Sequence, residues 1–60
     1  MKKSQYVVVV WDVINPDSPW EDVFEEEYTG TRYNSREAAR EEFLNAKADI
    51  NYRGAFIREV

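Results

Sequence analysis

Cysteine and histidine are both absent from this chain of 60 residues, and glycine occurs only twice. Without cysteine the chain can form neither a disulfide nor a thiolate metal site. Without histidine it lacks the commonest metal ligand and the usual general base. Domains of this size usually need a disulfide, a metal or a partner chain. We therefore expect one domain, residues 1–60, that is stabilised by a packed aromatic core or by self-association.

The residues available for catalysis are few. A nucleophilic triad would have to pair a lysine with a serine, and Ser4, Ser18 and Ser35 are better explained by a terminus, a loop and a helix cap. Gly30 and Gly54 do not form a phosphate-binding loop. A chain this short also does not readily enclose a pocket of several hundred Å³. We predict that the protein is not an enzyme and has no cofactor.

A carboxylate metal site is a further hypothesis. Asn15, Asp17 and Glu21 alternate along a loop as calcium ligands do, but the glycine of a calcium loop is absent and two prolines interrupt the segment. We therefore predict no bound metal ion.

The first residues resemble a signal peptide only briefly. Met1, Lys2 and Lys3 precede an apolar run, but Asp12 soon interrupts that run and no small-residue cleavage site follows. The run is also far shorter than the roughly 20 apolar residues of a membrane-spanning helix. This pattern predicts a cytoplasmic protein that does not enter a membrane.

Negative charge is concentrated in one segment of a chain whose net charge is −4. Residues 12–27 contain seven acids and no base, whereas residues 32–60 contain six bases and five acids. Nucleic-acid binding depends on Lys and Arg side chains that neutralise phosphates. The charge distribution therefore argues against nucleic acid and favours a basic protein partner or no partner.

The apolar run from Gln5 to Ile14 is typical of a central β-strand. Four consecutive valines and a tryptophan are strand-forming residues, and both faces of the strand would be largely apolar. The two-residue period divides the strand into one face of Val7, Val9, Trp11 and Val13 and another of Tyr6, Val8, Val10, Asp12 and Ile14.

The next segment, NPDSPWEDVFEEEY at residues 15–28, gives two conflicting signals. Ser18 to Glu21 matches a helix-capping box with proline at the first helical position, and Trp20, Val23, Phe24 and Tyr28 recur at helical spacing. Three glutamates would then lie in the last turn, where the helix dipole disfavours them. A central strand also needs a second neighbour. We therefore predict a strand from about Asp22 to Tyr28.

The helix and the last strand are clearer. Arg36 to Ala48 is rich in helix formers, and either Asn34 or Ser35 can cap it, with Glu37 in capping-box position after Asn34. The apolar stripe of this helix consists of Ala39, Phe43, Ala46 and Ile50. Gly54 to Val60 reads as a strand. The predicted fold is α+β, with order ββαβ and a three-stranded antiparallel sheet of order 2-1-3 that carries one helix on one face.

The other face of the sheet would be too apolar to remain exposed on so small a protein, and this predicts a homodimer formed through that face or through a sheet edge. The acidic segment has two interpretations. Charge on an edge strand prevents edge-to-edge aggregation, and carboxylates along a strand can also dock on a row of Lys and Arg. The residues predicted to bind such a partner are Asp17, Trp20, Glu21, Asp22, Glu25 and Glu27. The alternative is a small self-associating structural protein without a dedicated acidic site.

Three segments together carry a resemblance: YVVVVWD, VFEEEYTGTRYNSREAAREEF and AFIREV. Their succession resembles small uncharacterised proteins of bacteriophages and their bacterial hosts, which run strand, strand, helix, strand. The resemblance covers nearly the whole chain but includes no catalytic or binding motif, so it assigns no functional residue. It implies an accessory protein, and such proteins include inhibitors of host enzymes and acidic mimics of DNA.

Overall fold

The computed structural model describes residues 4–15, 17 and 23–60. Within these ranges the elements are β1 (Tyr6–Val13), β2 (Val23–Glu27), α1 (Arg36–Ala48) and β3 (Gly54–Glu59). β1 pairs antiparallel with both other strands, so the sheet has the order β2-β1-β3. The predicted α+β fold is confirmed, as are its order ββαβ and its strand order 2-1-3.

The valine run of β1 forms the centre of the molecule. Residues 7–10 are all valines, and each is at most 1% exposed. On one side of the sheet Val8 and Val10 pack with Ala39 and Ala46 of α1. Half-buried residues surround this cluster: Tyr28, Tyr33, Phe43, Tyr52, Ala55 and Ile57. The small alanines let α1 approach the sheet closely, as the sequence indicates.

The start of α1 differs in detail from the capping box suggested by the sequence. Ser35 is the N-cap, and its Oγ accepts a hydrogen bond from the Ala38 N–H at 3.1 Å. Ser35 caps the helix in place of Asn34, so Glu37 does not occupy the third helical position that a capping box requires.

The end of α1 corrects the predicted apolar stripe. Ala39 and Ala46 are buried and Phe43 packs beside them, but Ile50 is 97% exposed. The helix ends at Ala48 because Asp49 adopts extended backbone angles. Ile50 then lies in a turn, and the helical period no longer applies to it.

The sheet face opposite α1 is less open than its sequence indicates. Val7 and Val9 belong to this face, yet they are 0% and 1% exposed. Arg58 of β3 reaches Glu25 of β2 at 2.7 Å, and this ion pair passes over β1 at Val9. At the centre of this face less apolar surface is therefore exposed than the sequence indicates, and the Arg58–Glu25 ion pair lies across it.

The helix lies over β1 and β3, and none of its Cα atoms comes within 8 Å of a Cα atom of β2. Above β2 the ring of Tyr28 packs edge-to-face on that of Tyr52, with 6.1 Å between ring centroids. No helix in the described part of the chain has the length and apolar character needed to span a membrane.

Candidate partner-binding surface

The acidic strand β2 is an edge strand, and all five of its residues are exposed. Tyr6 and Tyr33 exchange two backbone hydrogen bonds, and the Tyr28 N–H donates to the Val8 carbonyl at 2.9 Å. Backbone groups of an antiparallel ladder alternate in direction. The N–H and C=O groups of Glu25 and Glu27 therefore face the open edge of the sheet.

The side chains of Glu25 and Glu27 share the sheet face opposite α1, as the two-residue period predicts. Glu25 forms the ion pair with Arg58, and Glu27 lies 3.2 Å from the Arg32 guanidinium. Both carboxylate side chains keep more than 40% of their surface exposed. Ion pairs this exposed contribute about 0–1 kcal/mol to stability, so a partner's cations can replace the internal ones at little cost.

Glu26 points to the other face and has a different role. Its Oε1 accepts a hydrogen bond from the Tyr52 hydroxyl at 2.8 Å. This hydrogen bond to a carboxylate, and then desolvation, raises the pKa of Tyr52. Glu26 thus ties β2 to the turn between α1 and β3 and does not belong to the docking face.

Two further tyrosines hold carboxylates in the same way. The Tyr28 hydroxyl donates to Asp49 at 3.0 Å, and the Tyr33 hydroxyl donates to Glu42 at 2.7 Å. In each case the hydrogen bond is the main cause that raises the tyrosine pKa. The pKa of Asp49 is lowered, first by the backbone N–H of Asn51 and then by the Tyr28 hydroxyl.

The other predicted binding residues lie between β1 and β2 in the sequence. Asp17 is exposed, and its backbone N–H donates to Asn15 Oδ1 at 3.0 Å in a local turn. Trp20, Glu21 and Asp22 lie outside the described residues. Of the six predicted residues, the structure brings Glu25 and Glu27 together on one face.

Sequence reasoning missed the side chains that flank these two carboxylates. Arg32 and Arg58 form ion pairs with them, and Phe56 shares their sheet face, with the Arg58 guanidinium 5.2 Å from its ring centroid. The alternation of GAFIREV places Phe56 and Arg58 on one face, and this signal was available. Which acid meets Arg58 depends on the register of three strands, which the sequence does not show.

Among residues 4–15, 17 and 23–60, no three acidic side chains converge on a point where they could hold a metal ion. Comparison with known proteins returned no matching family model, no matching curated protein and no matching solved structure. The resemblance to phage and bacterial accessory proteins therefore stays a prediction, and function has to be argued from the surface itself.

Proposed function

We propose that this protein is a non-enzymatic interaction module that docks on a basic protein through its acidic strand and the preceding loop. The observation that carries the proposal is the position of Glu25 and Glu27. They lie on one face of a fully exposed edge strand, with their carboxylates ordered by exchangeable ion pairs. Ordering before binding lowers the entropy lost on association.

The proposal also includes the acidic residues that precede β2 in the sequence. Asp17, Glu21 and Asp22 add negative charge close to β2 in sequence, and Trp20 is of the residue type enriched at binding hot spots. The resemblance to accessory proteins suggests an inhibitor that occupies the basic surface of its target. The cytoplasmic location of this interaction stays a prediction.

A decalysine peptide is a suitable first probe, because the natural partner is unidentified. We expect its titration into ¹⁵N-labelled protein to shift the amide resonances of Val23 to Glu27 more than those of α1. We expect the double variant Glu25→Gln/Glu27→Gln to weaken binding about three- to tenfold at low salt, and added salt to abolish the difference.

The matched control removes the same charge from the helix, as Glu37→Gln/Glu41→Gln. Both positions are exposed. If the two double variants lose affinity equally, the probe senses net charge alone and the docking surface is not on β2.

The alternative is a self-associating structural protein whose acids serve only solubility and edge protection. One observation favours it: Glu25, Glu26 and Glu27 each have a partner within the chain. This alternative predicts that the probe binds weakly everywhere, without a preference for β2.

A further inference from the structure

The second edge of the sheet differs from the first and offers a surface for a second copy of the chain. Val60 and Gln5 exchange both backbone hydrogen bonds, at 2.8 and 3.5 Å. By the alternation of an antiparallel ladder, the backbone groups of Ala55, Ile57 and Glu59 point away from β1. Within the described residues this outer edge of β3 pairs with no strand.

An open groove of about 560 Å³ runs between this edge and α1. It is lined by Arg36, Glu37, Arg40, Phe43, Leu44 and Ile57. Leu44 is 50% exposed although it lies in the middle of the helix. It falls off the stripe that packs on the sheet, so the fold of a single chain does not explain it.

We propose that two copies of this chain pair through their β3 edges, antiparallel and with Ile57 on the two-fold axis, and form a six-stranded sheet. This inference goes beyond the proposed function and does not depend on it. Ile57 then faces its own copy, and Ala55 faces Glu59 of the second copy. Each such pair exchanges two backbone hydrogen bonds, about six in all.

The side chains of β3 are self-complementary in this register. On the face opposite α1, Phe56 lies across from Arg58 of the second copy, and Arg58 already stacks over Phe56 within one chain. Arg–aromatic contacts of this kind are favourable. On the helix face, two isoleucines meet at the axis.

The helices reach packing distance in the same arrangement. Because α1 lies over β1 and β3 and strands are about 4.8 Å apart, the second helix comes to lie about 10 Å away. This is close to the interaxial distance at which helices pack. The half-exposed Leu44 can then enter the groove of the other copy.

The charges along the facing helix stripe also match. The stripe reads Glu37, Arg40, Leu44 and Lys47, and none of its three charged residues forms an ion pair within the described residues. Two antiparallel copies place Glu37 near Lys47 and Arg40 near Leu44. A glutamate of one copy therefore lies near a lysine of the other copy at each end of the helix–helix contact. The leucines and the aliphatic stems of the arginines lie between these two pairs.

Light scattering over a range of protein concentration tests the dimer, and Leu44→Lys, which places a second cation opposite Arg40 of the second copy, tests its geometry. Leu44 is half exposed in one chain, so the variant is expected to fold. We expect it to raise the dimer dissociation constant at least about tenfold, as the loss of a central interface contact does. The control Asn45→Lys adds the same charge on the side of α1 that faces Tyr28 and Tyr33, and it should remain dimeric.

Single cysteines fix the register, because the natural chain has none. A mixture of Ala55→Cys and Glu59→Cys should form a disulfide-linked heterodimer on mild oxidation, whereas either variant alone should crosslink poorly. The Glu25→Gln/Glu27→Gln variant should stay dimeric, which separates this inference from the proposed function. The inference is overturned by a protein that stays monomeric at high concentration, by a dimer insensitive to Leu44→Lys, or by equal crosslinking in the mixture and the single variants.

Discussion

The two edges of this sheet are built differently. β2 carries three consecutive glutamates and exposes every residue, whereas β3 carries one acid and one base and is half-buried from Gly54 to Ile57. Among the described residues, neither strand has a pairing partner on its outer side, but a copy of β2 laid against β2 would set glutamate against glutamate, which is destabilising.

A copy laid against β3 would instead set arginine against phenylalanine. The side-chain pattern therefore distinguishes an edge that repels its own copy and attracts a basic partner from an edge that accepts its own copy. In the proposed dimer both acidic strands lie at the outer ends of the six-stranded sheet and remain accessible.

The largest effect is expected from proline in β3 at a residue whose N–H faces β1, compared with proline at a neighbouring residue whose N–H faces the open edge. Phe56→Pro removes an N–H that pairs with β1, a position where a strand does not tolerate proline, so we expect no cooperative thermal transition by circular dichroism. Ala55→Pro removes an N–H that faces the open edge, where proline is tolerated. That variant should fold but fail to dimerise. Equal unfolding of both variants would contradict the assigned backbone directions.

A second prediction concerns Gly54, where β3 begins. A Cβ on this residue would lie 2.6 Å from Trp11 Nε1, so Gly54→Ala must displace the indole. We expect a loss of about 1–3 kcal/mol in urea unfolding, typical of overpacking. The smaller ring of Trp11→Phe should relieve the clash, so the double variant should lose less than the sum of the two single losses. Strict additivity would show that the indole does not pack against Gly54.

The tyrosine–carboxylate contacts predict how stability depends on pH. The pKa values of Tyr28, Tyr33 and Tyr52 are raised by their hydrogen bonds to carboxylates. A group whose pKa is higher in the folded state stabilises the fold below its unfolded pKa of about 10 and loses that contribution as the pH rises further. We expect the melting temperature to fall as the pH rises above about 10, and to fall less in Tyr52→Phe, which keeps two of the three contacts.

Asp49 contributes a pH dependence of stability with the opposite sign, because its pKa is lowered in the folded state. Its contribution is complete above its ordinary pKa near 3.9 and is lost as the pH falls below that value. The Tyr52 prediction fails if the melting temperature of Tyr52→Phe decreases with pH above about 10 as steeply as that of the unmodified chain. The hydrogen bond from the Tyr52 hydroxyl to Glu26 would then not join β2 to the turn before β3.

The smallest effect is expected for the ion pair that joins the two edges across β1. Glu25→Gln and Arg58→Gln should each cost less than about 1 kcal/mol, with a coupling energy in the double-mutant cycle that decreases in salt. The glutamine at position 58 keeps part of the aliphatic stem over Val9. A coupling well above this limit would mean that the pair is not exchangeable, and the docking proposal would lose its basis.

The fold was predictable because its signals are local and agree with one another. The valine run requires a central strand, the two prolines after Ile14 end it, and the residues from Arg36 to Ala48 favour a helix. The position of Ile50 was not predictable from the helical period, since the period carries no information on where the helix ends. Ser35 and Asn34 are both good caps, so sequence alone could not choose between them.

The candidate surface was only partly predictable. Alternation placed Glu25 and Glu27 on one face and Glu26 on the other. The pairing of Glu25 with Arg58 depends on residues 33 positions apart in sequence and on the register of both outer strands against β1. The same register decides which residues cover Val7 and Val9, and this is why the sequence overstated how apolar that face would remain.

The most direct test of the contrast between the two edges is amide hydrogen exchange measured at increasing protein concentration. The amides of Ala55, Ile57 and Glu59 should become protected as the dimer forms, while those of Glu25 and Glu27 should exchange equally fast at every concentration. Protection that appears on β2, or on neither edge, would contradict the account.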